Sequence, residues 1–357
     1  MFHDTTNSYK IVWFLALLRL VKETRGRSAR FTLAEAFVEA AVLAWPAACL
    51  YLLSFGKQDQ LATWLRTTID RLGVPAAAGP NAVRTTLRES GTLSELQKFE
   101  RYVPTRFLTP WFRESLRGTP DHARDALIRD LAFRARSTSE APPYFLDGDV
   151  IEVTPPWMHF LSENMPLVEA FAEHAFVEFL QSKNPSVPGI VNKTKPPIRR
   201  NLKTARDAWT QVRSCMESAG CGNEFRDIYS GEQLAEFFAI DHVLPWTFVA
   251  HDLLWNLTPV SVSTNSSKSD CLPDLEIYIP RLAKLHLRAI RLVPGSVIVD
   301  DYEQHFKVPR PELLALSDER FLQECRASLT PLAHIARQQG FSADWQVRSG
   351  AQDLDLS

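Results

Sequence analysis

The sequence predicts a mainly α-helical protein that carries one small α+β module in its second half. Apolar residues recur at three-to-four spacing through most of the first 140 residues and again after residue 280, which is the pattern of amphipathic helices. Runs that favour β-strands are short and few. We therefore expect a helical region over 1–190, an α+β module over 191–280, and helices followed by a frayed tail over 281–357.

The amino-terminal region contains a series of helical patterns. We predict helices over 8–23, 33–53, 57–73, 92–103, 120–136 and 157–184. Gly73 ends the third of them, as glycine commonly does after a helix. The stretch "PPYFLDGDVIEVTPP" interrupts the series, and Asp147-Gly148 within it predicts a short β-hairpin.

Composition limits the class of protein. The hydrophobic fraction is 45% and the charged fraction 23%, as in ordinary globular domains. The apolar runs at 11–18 and 40–55 are shorter than the roughly 20 residues that span a bilayer, so we predict buried helices and no membrane partner. Five cysteines without a CxxC pair indicate a reducing compartment, and we expect a cytoplasmic protein.

A basic segment follows the long predicted helix. Between residues 191 and 213 there are seven lysines or arginines and one acid, Asp207, although the net charge of the whole chain is −2. Two interpretations stay open: a solvated linker and helix face, or a surface that meets phosphates. The candidate nucleic-acid contacts are Lys193, Lys195, Arg199, Arg200, Lys203 and Arg206.

The stretch from Ala239 to Pro273 carries the polar residues with the most distinctive spacing. Asp241 and His242 end an apolar run that predicts a strand, and Pro245 then interrupts strand pairing. "LLWNLTPV" predicts a second extended piece. "TNSSKSDCLP" has the features of a helix start, and a short helix would place Asn265 and Lys268 one turn apart on one face.

These side chains suit one kind of chemistry. A carboxylate and an amide oxygen are hard donors that suit Mg²⁺ or Mn²⁺. A neighbouring histidine can take a proton from an attacking water near neutral pH. The residues alone leave two interpretations equally open: a metal site that hydrolyses phosphodiesters, or a polar hairpin whose Asp and Asn residues make turns. No GxSxG elbow, phosphate loop or HExxH motif offers another chemistry.

The segments "IDHVLPW", "LWNL" and "NSSKSDCLP" together resemble the ββα-metal core of HNH endonucleases. The resemblance is closest to the variant in RNA-guided type II CRISPR nucleases and in related bacterial defence-type HNH proteins. It covers residues 225–273. It implies that Asp241 and Asn265 bind the metal, that His242 is the general base, that Asn256 holds the loop carrying the base, and that Lys268 contacts phosphate or supports the site.

The resemblance also sets expectations for cofactor and partners. It implies one divalent ion, Mg²⁺ or Mn²⁺, and a DNA substrate, with RNA also open. "IYSG" stands at 228–231 where many relatives have a zinc-binding CxxC, so we expect no structural zinc. Oligomers and a defence or CRISPR-like complex stay open as partners. The alternative function is a nucleic-acid-binding or adaptor subunit whose module is active only within a larger complex.

Overall fold

The computed structural model describes residues 7–24, 29–92, 94–95, 102–195 and 201–347. These residues are mainly helical and include two small antiparallel sheets, which confirms the predicted fold class. The chain divides into two compact units. The N-terminal unit comprises residues 1–185 and 190–197, and the C-terminal unit comprises 186–189 and 198–357. The carboxy-terminal helices therefore lie in the same unit as residues 198–280 of the predicted α+β module, whereas residues 191–197 belong to the N-terminal unit.

The N-terminal unit contains a bundle of helices and a three-stranded sheet. Its elements are α1 (Tyr9–Glu23), β1 (Arg30–Thr32), α2 (Leu33–Trp45), α3 (Leu61–Leu72), α4 (Pro80–Glu89), α5 (Val103–Arg106), α6 (Asp121–Ala135), β2 (Tyr144–Asp147), β3 (Val150–Val153) and α7 (Pro155–Lys183). β3 lies between β1 and β2, and both pairings are antiparallel. The predicted hairpin at Asp147-Gly148 is the β2–β3 turn, and Gly148 there has φ of +63°.

The core of the N-terminal unit forms around α1, which packs against α2 and α7. α2 begins at a capping box in which Thr32 and Glu35 satisfy each other's backbone N–H groups. Within the described residues, Leu33–Leu50 is the one stretch long and apolar enough to cross a membrane by length and composition, and 72% of it is buried inside the fold. Burial at that level is what a core helix shows.

Some sequence predictions fall on residues that lie outside the described ranges. Most of the predicted helix over 92–103 does so, as do Arg199, Arg200 and the whole predicted tail over 349–357. The other predicted helices of the N-terminal unit correspond to α1, α2, α3, α6 and α7. The second is shorter than predicted, because its helix geometry changes at Pro46 to a π-helical turn over Pro46–Leu50.

The C-terminal unit surrounds a two-stranded sheet with helices. Its elements are α8 (Lys203–Ser218), β4 (Ala239–His242), α9 (Trp246–Val249), β5 (Leu257–Val260), α10 (Val262–Lys268), α11 (Leu275–Leu292), α12 (Val297–Phe306), α13 (Arg310–Ala315) and α14 (Asp318–Gln339). α11 is the central helix and contacts α8, α12 and α14. The small sheet is joined to α8 through Trp209, whose indole N–H donates to the carbonyl of Leu257 in β5 at 3.1 Å.

A buried histidine lies at the centre of this packing. His286 of α11 is fully buried against the ring of Trp209, at 4.8 Å between centroids, and its Nδ1 pairs with the hydroxyl of Tyr302 at 2.9 Å. Burial lowers the pKa of His286 to about 3, because the charged ring would be removed from water. The folded unit therefore holds this ring neutral.

We expect the C-terminal unit to lose stability in acid through His286. Since the folded pKa lies below the unfolded value of 6.5, the contribution is complete above pH 6.5 and is lost as the pH falls towards the folded value. The free energy of unfolding should fall by at most about 1.4 kcal/mol per pH unit through this one histidine, which amounts to at most about 2 kcal/mol between pH 6.5 and 5. Urea unfolding at several pH values measures it. The His286→Phe variant should show a shallower acid dependence, and an unchanged slope would contradict the prediction.

Candidate active site

The β4–β5 hairpin positions the first two site residues. Asp241 pairs with Thr258, and His242 pairs with Leu257 at the carboxyl end of β4. All but the first residue of β4 and all four residues of β5 are buried, so the hairpin lies inside the unit. The adjacent side chains of Asp241 and His242 are thereby held on a rigid support.

The carboxylate of Asp241 has two side-chain partners. Tyr229 donates its hydroxyl to Oδ2 at 2.8 Å, and the Lys268 ammonium lies 3.2 Å from Oδ1 and 3.1 Å from Oδ2. Asp241 is 4% exposed, and this burial raises its pKa while Lys268 and Tyr229 act in the opposite direction. Burial also raises the pKa of Tyr229 well above its usual range, so the phenol stays protonated as a donor.

Lys268 ends the short helix α10 and points into the protein. Its side chain is fully buried, and Nζ also donates to the carbonyl of His242 at 2.6 Å. The helix begins at Ser261, whose hydroxyl accepts from the N–H of Thr264 at 3.1 Å. Lys268 thus joins α10 to β4 at the site, and its ammonium faces a carboxylate and a carbonyl.

Asn256 holds the turn that follows β4. Its Oδ1 accepts from the N–H of Leu244 at 2.8 Å, and its Nδ2 donates to the carbonyl of the same residue at 2.9 Å. Its own carbonyl accepts from the N–H of Val243 at 2.9 Å. Asn256 is fully buried, so no water can replace these bonds. The backbone immediately after His242 is fixed in this way.

We expect Asn256→Ala to destabilise the C-terminal unit by about 2–4 kcal/mol, because the N–H and carbonyl of Leu244 would be buried without partners. Urea unfolding detected by mass-spectrometric labelling of the Cys325 thiol, which is buried in α14, measures the loss. Asn223→Ala, at an exposed position of the same unit, is the control and should change little. A loss of stability no larger than that of Asn223→Ala would show that the side-chain hydrogen bonds of Asn256 do not stabilise the unit.

His242 has an acidic partner on the loop after α9. Its Nε2 lies 2.8 Å from Oδ1 of Asp252. The histidine side chain is 7% exposed and the aspartate side chain 33% exposed. Among the described residues, the ring of His242 makes its hydrogen bond through Nε2, and Nδ1 makes none. Nδ1 is therefore available to a reacting group.

Asn265 lies on α10 one turn before Lys268. Residues three apart share a face of a helix, so the contact of Lys268 with Asp241 places Asn265 on the side of α10 that faces β4. Its side chain is half-buried and makes no hydrogen bond within the described ranges. The amide oxygen is therefore not committed to the fold.

The donor chemistry of Asp241 and Asn265 fits one hard divalent ion. Within the described ranges, no three His, Cys, Asp or Glu residues gather into a group that could hold a metal. A carboxylate and an amide are few ligands, but Mg²⁺ usually keeps several waters and takes further oxygens from a bound phosphate. Asp241 and Asn265 would hold the ion, and Asp241 would then share its oxygens with Lys268 and Tyr229.

A short hairpin precedes β4, at the place where the sequence has "IYSG". Arg226 bridges to Gln233 across a turn at Gly231, which has φ of +76°. Asp227 ties this hairpin to the start of α10, since its Oδ1 accepts from the N–H of Tyr229 and its Oδ2 from that of Ser261, both at 2.9 Å. Here a carboxylate joins the two pieces through backbone hydrogen bonds.

The predicted basic contacts have different surroundings. Lys193 is fully buried, and burial lowers its pKa to about 7. Its ammonium therefore does not reach the surface, where a nucleic acid would contact it, and this departs from the prediction. The Lys195 ammonium forms a surface ion pair with the carboxylate of Glu173, at 3.0 Å. These two lysines belong to the N-terminal unit, whereas the remaining described candidates belong to the C-terminal unit.

Those remaining candidates lie on or near the first turn of α8. Lys203 pairs with Asp207 one turn later, and Arg206 donates to the carbonyl of Phe238 at 2.8 Å. Lys203 is exposed, and Arg206 supports the residue that precedes β4. Nucleic-acid contact by these two side chains stays a prediction.

Two residues of the site were not predicted to take part in it. Tyr229 and Asp252 contact Asp241 and His242 from positions 12 and 10 residues away in sequence. Asp252 is an acid in the loop between Asp241-His242 and Asn256, which is a usable signal once a catalytic histidine is suspected. Tyr229 offered no signal, because a buried tyrosine is ordinarily a core residue.

A comparison with protein families agrees with this geometry. Residues 227–274 match the family described as HNH endonuclease, and the match spans the first hairpin, the β4–β5 pair and α10. No curated protein and no solved structure matches the chain. The segment from Asp227 to Asp274 is thus similar to an HNH endonuclease module, and it lies within a longer, mainly helical chain.

Proposed function

We propose that this protein is a metal-dependent endonuclease that hydrolyses phosphodiester bonds in DNA. The observation that carries the proposal is the adjacency, at the end of one buried strand, of a carboxylate and a histidine whose ring is fixed through Nε2. The HNH module supplies the same expectation from a second direction. Hydrolysis needs a base, a rigid support and a charge partner for the phosphate; His242 and its strand offer the first two, and a divalent ion would supply the third.

The chain's residues divide the work between them. His242 removes a proton from the attacking water through Nδ1, and the new P–O bond forms as the bond to the leaving oxygen breaks. A divalent ion, when bound, stabilises the negative charge that develops on the phosphate and the leaving oxygen. Lys268 favours the ionised form of the buried Asp241 carboxyl, against the effect of burial, and Asn256 fixes the backbone beyond the base.

The proposal extends to the metal, the branch of the HNH family and the cellular location. Mg²⁺ and Mn²⁺ are favoured because both ligand candidates are oxygen donors. The order Asp-His, Asn, Asn and Lys in the module is the basis for proposing a place close to the HNH variant of RNA-guided type II CRISPR nucleases. A role in bacterial defence would follow from that placement. Five free cysteines support a cytoplasmic location.

One observation favours a second candidate function. Both oxygens of Asp241 are engaged, by Lys268 and by Tyr229, and the residue is almost fully buried. A carboxylate whose two oxygens already have protein partners is expected in a subunit whose module becomes active only within a larger complex, because those partners would have to give way to a metal ion. Under this candidate the isolated chain binds nucleic acid and cuts it slowly.

Removal of the metal tests the proposed function. We expect the purified full-length chain to nick or linearise supercoiled plasmid in Mg²⁺ or Mn²⁺ and to leave it intact in EDTA, because the phosphate charge is then uncompensated. Matched RNA and single-stranded DNA substrates give the substrate class, and His242→Ala protein purified in parallel controls for contaminating nuclease. Cleavage in EDTA equal to that in Mg²⁺ would overturn the proposal. DNA binding without cleavage would favour the second candidate.

A further inference from the structure

We infer that Asp252 is a positioning residue that fixes the ring of His242. We also infer that helix α12 of the C-terminal unit holds the loop that carries Asp252 in place. The inference rests on the proposed function for its catalytic consequence. It starts from the 2.8 Å contact between Nε2 of His242 and Oδ1 of Asp252, in which a largely buried ring meets a carboxylate that reaches solvent.

The contact selects one tautomer of the ring. A carboxylate accepts hydrogen bonds, so the proton of a neutral His242 stays on Nε2. Nδ1 then carries the lone pair, which is the atom that must face the attacking water. When Nδ1 takes the proton from that water, the ring becomes cationic and Asp252 offsets the new charge across the existing hydrogen bond. The base thus has its orientation and its charge partner before the substrate arrives.

The loop that carries Asp252 is built to hold this position. It leaves α9 through Ala250, whose φ of +56° turns the chain, and it ends where the N–H of Leu254 donates to Oδ2 of Asp301 at 2.5 Å. The ring of Trp255 also stacks on His305, with 3.9 Å between centroids and 7° between planes. Asp301 and His305 both belong to α12, so this helix outside the family match sets the path of the loop.

An ordinary surface ion pair would show a different pattern. Pairs between two exposed side chains contribute little and are often mobile. Here the histidine side chain is buried, and its strand is paired with β5. The loop that carries Asp252 begins at the turn at Ala250 and is held at its other end by the hydrogen bond from Leu254 to Asp301. The geometry places a fixed acceptor beside a fixed ring, which is the arrangement that orients a base.

Kinetics of full-length variants test the inference. We expect Asp252→Ala to lower kcat about 10–100-fold with KM within about two-fold, because substrate contacts are retained while the base loses its orientation. Asp252→Asn keeps an acceptor for Nε2–H and should recover part of the rate. In a His242→Ala background, Asp252→Ala should cause no further loss, since Asp252 acts through the ring. Asp270→Ala, at an exposed acid of the same module, is the control and should match wild type.

A spectroscopic measurement separates this inference from the proposed function. In ¹⁵N-histidine-labelled full-length protein, long-range ¹H–¹⁵N correlation should show His242, assigned with the His242→Ala variant, as the Nε2-protonated tautomer, and Asp252→Ala should lose that signature. Wild-type kcat in Asp252→Ala, an equal loss in the His242→Ala background, or an unchanged tautomer would each overturn the inference. If wild-type protein cuts no nucleic acid, the proposed function fails, and the tautomer alone decides the role of Asp252.

Discussion

Replacing His242 with alanine should slow metal-dependent cleavage by about 10²–10⁴-fold, the usual contribution of a positioned general base. The expected loss is large because the ring lies at the end of a buried strand, where water cannot readily occupy an equivalent, oriented position. Initial rates of plasmid nicking in Mg²⁺ measure it. Since the side chain is removed without adding bulk, substrate binding should change far less than kcat.

The control for His242 comes from the same unit. His334 lies on α14, where its Nε2 contacts Gln338, and it is remote in sequence from the module. His334→Ala should cut at the wild-type rate. Added imidazole should restore part of the activity of His242→Ala by entering the space that the ring leaves. A His242→Ala protein that nicks plasmid as fast as wild type would remove this histidine from the mechanism.

Replacing Lys268 with methionine should destabilise the C-terminal unit by about 3–5 kcal/mol, the usual effect of leaving one partner of a buried ion pair uncompensated. The Lys268 ammonium is fully buried between the carboxylate of Asp241 and the carbonyl of His242. Methionine has a similar length, so the loss reports on charge more than on packing. Urea unfolding with thiol labelling of Cys325 measures it.

The pH dependence of the Lys268→Met variant should identify the cause. Burial already raises the pKa of Asp241, and Lys268 is the largest influence that opposes this rise. Without the ammonium the folded pKa rises further above the unfolded value of 3.8, so stability falls as the pH rises through that window. The deficit relative to wild type should therefore be smaller at pH 5 than at pH 8.

Two variants control for this effect. Lys284→Met replaces an exposed lysine of α11 in the same unit and should change stability little. The double variant Lys268→Met with Asp241→Asn removes both charges and should recover much of the loss. A Lys268→Met protein as stable as Lys284→Met at neutral pH would show that the buried pair does not stabilise the unit.

Much of the site could be predicted because it is local in sequence. The strand that ends at Asp241-His242 follows from an apolar run before a proline. A short helix carries Asn265 and Lys268 as predicted, but its capping residue is Ser261, which precedes the predicted helix start. The pairing of β4 with β5 then brings the region around Asn256 beside His242. These features can be predicted because periodicity and turn residues act over a few neighbouring positions. The main alternative for each such segment is an irregular loop.

Other features depend on which side chains the fold buries. Lys193 and Lys268 read alike in the sequence, as cations among polar neighbours, yet both are fully buried, and Lys268 faces Asp241. Burial of a charge is decided by the elements that close over it, and charge patterns contain no information on that closure. The expectation that Lys193 belongs to a surface patch failed for this reason.

By itself, the sequence determined the helical class, the order of elements in the module and the residue types available for phosphodiester chemistry. The tertiary structure alone decided how those residues are held. It placed Tyr229 on Asp241, Asp252 on His242, and α12 against the loop that carries Asp252. The physical reason is that hydrogen bonds between residues distant in sequence depend on the path of the intervening chain, which is set by tertiary packing and, for the loop that carries Asp252, by α12 outside the module.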